Sequence, residues 1–291
     1  MKKLLIAFSL IAIVACKQNK KESDTADTTQ EKAVKPAVKL YAFSGGTVQA
    51  NMLELFSQDT TYTGQSKTFA DAFYVIEHPD GVLVWDGGLP EALTTLEEPF
   101  TDPSGAFTVS RKDSVKNQLA SIGMKIDSVK YFSLSHTHFD HTGHANAFKN
   151  STWIVQEAEH SFITSDSIKV QQADNYNAVK ELTNVMKIDG DHDVFADGSV
   201  IIKSYPGHTP GHSALYIDLP KTGPVLLTGD LYHFEENREF KRVPSFNYDV
   251  EMTKKSMYAF EAFAKEKGAQ VFIQHSPNDF KKIPAAPAYL E

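Results

Sequence analysis

From Val38 onward, short apolar runs alternate with turn signals, and the runs change between two periods. Phe73-Tyr74-Val75-Ile76 and Val82-Leu83-Val84-Trp85 flank His78-Pro79-Asp80-Gly81, which predicts two strands joined as a hairpin. Val115, Leu119 and Ile122 recur at helical spacing between Asp113 and Gly123, so that stretch predicts a helix closed by the glycine. Val129–Leu134 and Trp153–Val155 predict further strands, with a helix starting near Ala158. Val200–Ile202, Ala214–Ile217, Val225–Leu227 and Val271–Ile273 predict four more strands. Between the last two, Met252–Lys267 carries Met257, Phe260 and Phe263 on one side and stops at Gly268, the pattern of an amphipathic helix. Strands and helices mixed in this order predict an α/β architecture with sheets covered by helices.

The N-terminal segment reads differently. Lys2 and Lys3 precede an apolar run from Leu4 to Val14, followed by Ala15-Cys16. The run is too short for a stable membrane span, so residues 1–16 are expected to be an export signal. Ile13-Val14-Ala15-Cys16 resembles a lipoprotein-type signal, which implies a lipid anchor on Cys16 and an exported, cell-envelope location; secretion after plain cleavage is the alternative. Residues 17–37 are polar and charged with almost no apolar positions and are expected to form a disordered tether. Residues 38–291 remain for a single folded domain.

Composition narrows the chemistry. A formal net charge of -8 argues against nucleic acid as a partner and for a small-molecule substrate. Cys16 is the only cysteine, so a metal in this chain must be held by histidine and carboxylate. Ser135-His136-Thr137-His138-Phe139-Asp140-His141 offers such ligands: His136, His138, Asp140 and His141 lie just past a predicted strand end. Alternation on an extended segment places His136, His138 and Asp140 on one side, and a turn brings His141 alongside. Neutral imidazoles and carboxylates are suitable zinc ligands, and three or four suffice when one position stays open for water.

This motif resembles that of the metallo-β-lactamase superfamily. The resemblance extends to Pro206-Gly207-His208-Thr209-Pro210-Gly211-His212, Thr228-Gly229-Asp230 and Ile273-Gln274-His275, each just after a predicted strand, and to Asp86-Gly87-Gly88. It implies an αββα sandwich, with metal at one edge between the two sheets. It further implies two zinc ions per chain: one on His136, His138 and His208, the other on Asp140, His141 and His275, with Asp230 bridging them. His212 and His144 are expected to support the ligand loops, and Asp86 to brace a turn. His78, His160 and His192 fall outside the motifs and are expected at the surface.

Within that superfamily, Gly229-Asp230-Leu231-Tyr232-His233-Phe234, Val243-Pro244-Ser245-Phe246-Asn247 and Ile273-Gln274-His275-Ser276-Pro277 resemble the N-acyl-homoserine lactonases. The resemblance implies a hydrolase that opens a lactone ring with a hydroxide shared by the two ions. Asp140 would carry the proton, and Tyr232 or His233 would polarise the carbonyl. Met52-Leu53, Phe69 and Phe107 are candidates for the walls of an acyl-chain cleft, with plain core packing equally open. The alternatives are hydrolysis of another ester, thioester or β-lactam, and a surface lipoprotein that binds metal without catalysis. Oligomeric state is not legible.

Overall fold

A strand apolar on both faces needs cover on both sides, and the long runs in this chain receive it. The structure, a computed structural model, describes residues 35–291; the expected export signal, and the expected tether as far as residue 34, lie outside the described residues. The first sheet is built from β1 (Lys39–Ala50), β2 (Lys67–His78), β3 (Gly81–Trp85), β4 (Phe100–Thr101), β5 (Phe107–Ser110), β6 (Tyr131–Ser133), β7 (Thr152–Gln156) and β8 (Val185–Ile188). Its spatial order is β4-β5-β1-β2-β3-β6-β7-β8. The second sheet contains β9 (His192–Asp193), β10 (Val200–Ser204), β11 (Ser213–Leu219), β12 (Gly223–Leu227) and β13 (Gln270–Phe272), in the order β13-β12-β11-β10-β9.

The two sheets face each other across one core. Leu40, Tyr74, Ile76 and Trp85 from the first sheet pack with Ile202, Leu215, Ile217, Val225 and Leu227 from the second. The outer face of the first sheet, through Phe73, Val75, Val84 and Phe132, is covered by four helices. These are α1 (Val115–Ser121), α2 (Glu157–Ile163), α3 (Asp166–Gln171) and α4 (Ala173–Val179). Two short helices and one long one follow: α5 (Glu235–Phe240), α6 (Val250–Lys267) and α7 (Pro277–Lys282). On the outer face of the second sheet, α6 lays Met257, Phe260 and Ala264 against Ala214, Tyr216 and Leu226. Full burial of side chains such as Met257 and Phe260 is worth about 1.5–3 kcal/mol each. Asp249 starts α6 by accepting from the Met252 N–H, and Gly268, with φ of 61°, ends it. The layers are therefore α, β, β, α, as the resemblance implied.

The sequence reading found the hairpin of β2 and β3, helices α1 and α6, and the strands that feed the ligand motifs. It passed over β1, whose run is interrupted at Gly45-Gly46. There the register with β2 shifts, and a Cβ on Gly45 would lie 2.6 Å from Gly88 Cα. This close approach seats the Asp86-Gly87-Gly88 turn against the sheet. His78 corrects the surface expectation: it is buried, its Nε2 lies 2.9 Å from Asp197 Oδ2, and its ring stacks on Phe195 at 4.0 Å.

The topology sets the place of the site. β3, β6 and β7 are parallel neighbours, as are β12 and β13, and β10 runs the same way as β12 through two antiparallel pairings. The segments with candidate ligands follow the carboxyl ends of β6, β10, β12 and β13. They meet at one edge, where the sheets leave a crevice.

Candidate metal centre

Each ligand segment is a short loop held by its own backbone. After β6 the chain does not stay extended: the N–H groups of His141 and Thr142 both donate to the His138 carbonyl, at 3.1 Å each. This turn overrides the strand alternation expected from the sequence. His136 and His138 are directed to one cluster, and Asp140 and His141 to another. The first cluster is completed by His208 and Asp230, the second by His275.

Asp230 stands between them. Its Oδ2 lies 3.6 Å from His136 Nε2 and 3.4 Å from His208 Nε2. Its Oδ1 lies 3.2 Å from His141 Nε2 and 2.9 Å from His275 Nε2. His138 points Nδ1, not Nε2, at its neighbours, 2.9 Å from His136 Nε2 and 3.1 Å from His208 Nε2. Asp140 spans the second cluster, with Oδ1 3.8 Å from His141 Nε2 and Oδ2 3.6 Å from His275 Nε2. All seven sequence candidates thus converge, and one carboxylate offers an oxygen to each half.

In four of the five ligand histidines, His136, His141, His208 and His275, the ring nitrogen turned away from the cluster has a partner that fixes ring orientation. His136 Nδ1 meets Ser135 Oγ at 3.1 Å, and His208 Nδ1 meets Asn247 Oδ1 at 3.1 Å. His275 Nδ1 lies 2.9 Å from the Ala70 carbonyl. His141 Nδ1 lies 3.2 Å from Asp86 Oδ2, while the Ser135 N–H donates to Asp86 Oδ1 at 2.6 Å. Asp86 therefore braces the ligand loop, from a left-handed backbone with φ of 65°. His212 also supports the site: its Nε2 accepts from the Asp230 N–H at 3.0 Å, and its Nδ1 faces the Tyr205 carbonyl at 3.0 Å. His144 is buried under the loop against Phe73 and Phe148, without a hydrogen bond.

These residues fit a metal pair. His141 Nε2, His275 Nε2 and Asp230 Oδ1 are buried with no hydrogen bond of acceptable geometry, a costly arrangement for polar atoms unless a cation sits among them. Nitrogen and oxygen ligands about 2.0–2.1 Å from a tetrahedral zinc lie about 3.3 Å from each other. The observed separations of 2.9–3.6 Å about Asp230 Oδ2 and His138 bracket that value. Burial, with the neighbouring histidines, holds His136 and His208 well below the ordinary imidazole pKa, so both present the neutral, metal-binding form. In the other half, burial opposes charge, but Asp230 outweighs it and lifts His275 to about 9. The carboxylates of Asp230, Asp86 and Asp140 likewise hold His141 well above its usual range. Both shifts have the same cause: three carboxylates converge on the second cluster and favour positive charge there, as a divalent ion would supply.

Beside the cluster lies a cavity of about 330 Å³. Val48, Leu55, Phe56, Phe69, Ala106, Phe107, Phe139 and Phe246 form its apolar walls, and His138, Asp140, Asp230, His233 and His275 its polar end. Phe69 and Phe107 thus line the cleft, whereas Met52 and Leu53 do not; the adjoining Leu55 and Phe56 take that place. The pair Tyr232 and His233 is separated cleanly. His233 Nε2 lies 3.1 Å from Asp230 Oδ2, and its ring packs edge-on against Phe56 at 4.9 Å. Tyr232 must be withdrawn as a catalytic candidate. Its backbone is extended, so it points opposite to His233; its ring is fully buried against Phe260, with the hydroxyl 3.4 Å from the Met257 carbonyl.

Sequence reasoning missed three buried groups around the site. Arg111 donates to the carbonyls of Gly87 at 3.0 Å and Leu89 at 2.6 Å, holding the Asp86 turn. Asp71 is buried behind the second cluster; burial, reinforced by Asp140, pushes its pKa up to about 7. Glu159 is buried between two ligand loops. None belongs to a motif, and only the burial of a charged residue marks them.

The fold and this double cluster define a class. The sequence profile of the metallo-beta-lactamase superfamily matches residues 71–275, and the chain belongs to that superfamily as a metal-dependent hydrolase. It is 31% identical over 234 residues to an N-acyl homoserine lactonase, AttM, of Azorhizobium caulinodans, covering 75% of this chain and 86% of that protein. It is 29% identical over 224 residues to the N-acyl homoserine lactonase AiiA of Bacillus thuringiensis subsp. kurstaki, covering 75% and 85%. A solved structure of an N-acyl homoserine lactone hydrolase, with the product N-hexanoyl-L-homoserine at its catalytic metal center, superposes with a TM-score of 0.73. That match has 28% identity and covers 86% of this chain and 98% of the other.

Proposed function

We propose that this chain opens the lactone ring of N-acyl-homoserine lactones, with two divalent ions, zinc by the chemistry of the donors, as cofactor. The observation that carries the reading is the apolar cavity that ends on the ligand cluster and on His233. A polar ring with a hydrocarbon tail matches that division, and the volume lies near the lower bound of small-molecule sites, about 300–1,000 Å³. The named relatives are lactonases of this type.

His136, His138 and His208 would hold one ion, Asp140, His141 and His275 the other, and Asp230 both. When bound, such ions supply Lewis acidity to a carbonyl and lower the pKa of water towards neutrality. The chain's own residues do the rest. The aromatic walls fix the acyl chain, so that the ring enters with its carbonyl towards the cluster. His233 Nε2, 3.1 Å from Asp230 Oδ2, borders the same space, and its N–H would turn from that carboxylate to the carbonyl oxygen as charge develops there. Asp140 borders the cavity and can pass a proton from the attacking water to the ring oxygen as the acyl C–O bond breaks. Water adds across that bond, leaving a carboxylate and a free hydroxyl.

The test is turnover of hexanoyl-homoserine lactone, followed by acid release, beside nitrocefin and an acyl thioester, each with and without a chelator. Chelator-sensitive ring opening at least about a hundredfold faster than the other two reactions is expected. Preference for nitrocefin or the thioester would overturn the substrate class.

A further inference from the structure

The first ligand set comes from two loops, and one buried carboxylate holds both. Glu159, on α2, is 2% exposed. Its Oε1 accepts from the Thr137 N–H at 2.8 Å and the Thr137 hydroxyl at 2.7 Å. Its Oε2 accepts from the Thr209 hydroxyl at 2.7 Å and the Gly211 N–H at 2.9 Å. Thr137 separates His136 from His138, and Thr209 follows His208. The carboxylate therefore joins the segments that carry all three histidines of the first set, and none of its hydrogen-bond partners adjoins Asp140, His141 or His275.

The approach is close. A Cβ on Gly211 would lie 2.5 Å from Glu159 N and 2.6 Å from Glu159 Cβ, so α2 and the loop after β10 meet only through glycine. At their base the two loops are also tied by the Ser213 N–H donating to the Ser135 carbonyl at 2.8 Å. Near the tips, where His138 Nδ1 and His208 Nε2 stand 3.1 Å apart, Asn247 and the Tyr248 N–H hold His208 to its own side, and Glu159 bonds to both loops.

We infer that Glu159 is a positioning residue that sets the ion affinity of the His136–His138–His208 site and leaves the Asp140–His141–His275 site alone. The inference rests on the two-ion reading of the cluster. A carboxylate that accepts four hydrogen bonds fixes the spacing of both loops at once. Removing it leaves four donors without an acceptor and frees the tips to separate.

The experiment is zinc binding by chelator competition on the folded chain, with the thermal midpoint of the metal-free protein measured in parallel. Wild type is expected to bind two zinc ions, and Glu159→Ala to weaken one of them by about 10–100-fold while the other keeps its affinity. Glu159→Gln keeps an oxygen for one loop but turns an amide N–H towards the Gly211 N–H, so an intermediate loss is expected. Thr209→Val removes one bond only and serves if the alanine variant does not fold. A role in fold stability alone would lower the thermal midpoint without changing the ratio of the two affinities. Binding of fewer than two ions by wild type overturns the two-ion reading. Two ions in wild type, with both affinities unchanged or equally weakened in the variants, overturns the role given to Glu159.

Discussion

His233→Phe separates binding from chemistry at the proposed lactone site. The replacement keeps a ring of similar size against Phe56, 4.9 Å away, and beside His275, 5.8 Å away and nearly parallel. It removes Nε2, a donor on the cavity wall that is not among the seven ligands. The remaining polar residue of the wall, Ser104, has its hydroxyl engaged with Asp102, at the exposed rim. His233 is 3% exposed, so its hydrogen bond to a developing oxyanion forms with little competing water. Loss of one such donor costs about 10²–10³ in kcat, or about 2.7–4 kcal/mol of transition-state stabilisation. KM should change little, because the acyl walls are intact and the donor acts mainly on charge that appears after binding. Steady-state kinetics on hexanoyl-homoserine lactone read both constants, with zinc content measured on the same samples. A kcat within about threefold of wild type would refute the role of His233. A proportional loss of zinc would reassign it to the metal cluster.

Two further outcomes follow from the same geometry. Lengthening the acyl chain from butanoyl to hexanoyl should raise kcat/KM about 15-fold, since each buried methylene is worth about 0.8 kcal/mol. Phe107→Ala should flatten that dependence, and an unchanged slope would exclude this cavity as the acyl site. Stripping the ions should lower the thermal midpoint by roughly 15–30 °C. Each ion held 1,000-fold above its Kd adds about 4 kcal/mol, and a domain of this size moves about 2–4 °C per kcal/mol. Calorimetry with and without a chelator reads the shift, and an unchanged midpoint would mean that the cluster binds no metal.

Much of the site was legible because its chemistry is local. His136, His138, Asp140 and His141 declare themselves by residue type and spacing, and a strand that ends just before them shows that they stand at a sheet edge. His208, Asp230 and His275 carry no such spacing; they were legible through the resemblance to the superfamily, each just past an apolar run. Glu159, Arg111 and Asp71 were not legible. Each looks like an ordinary charged residue until the tertiary structure buries it, and burial depends on contacts with segments tens of residues away.

By itself, then, the sequence determined which side chains can bind metal and which segments become the strands that deliver them. Both properties depend on a few neighbouring residues, on imidazole and carboxylate chemistry and on apolar period. Only the tertiary structure decided which way each side chain points and what it meets. Tyr232 has an extended backbone, so its side chain and that of the next residue face opposite ways, and the packing of α6 over Tyr232 leaves His233 for the cavity. Pairing between distant segments likewise sets Asp230 between two clusters and closes Phe56, Phe107 and Phe246 around one cavity, because a cleft exists only between chain segments that folding has brought together.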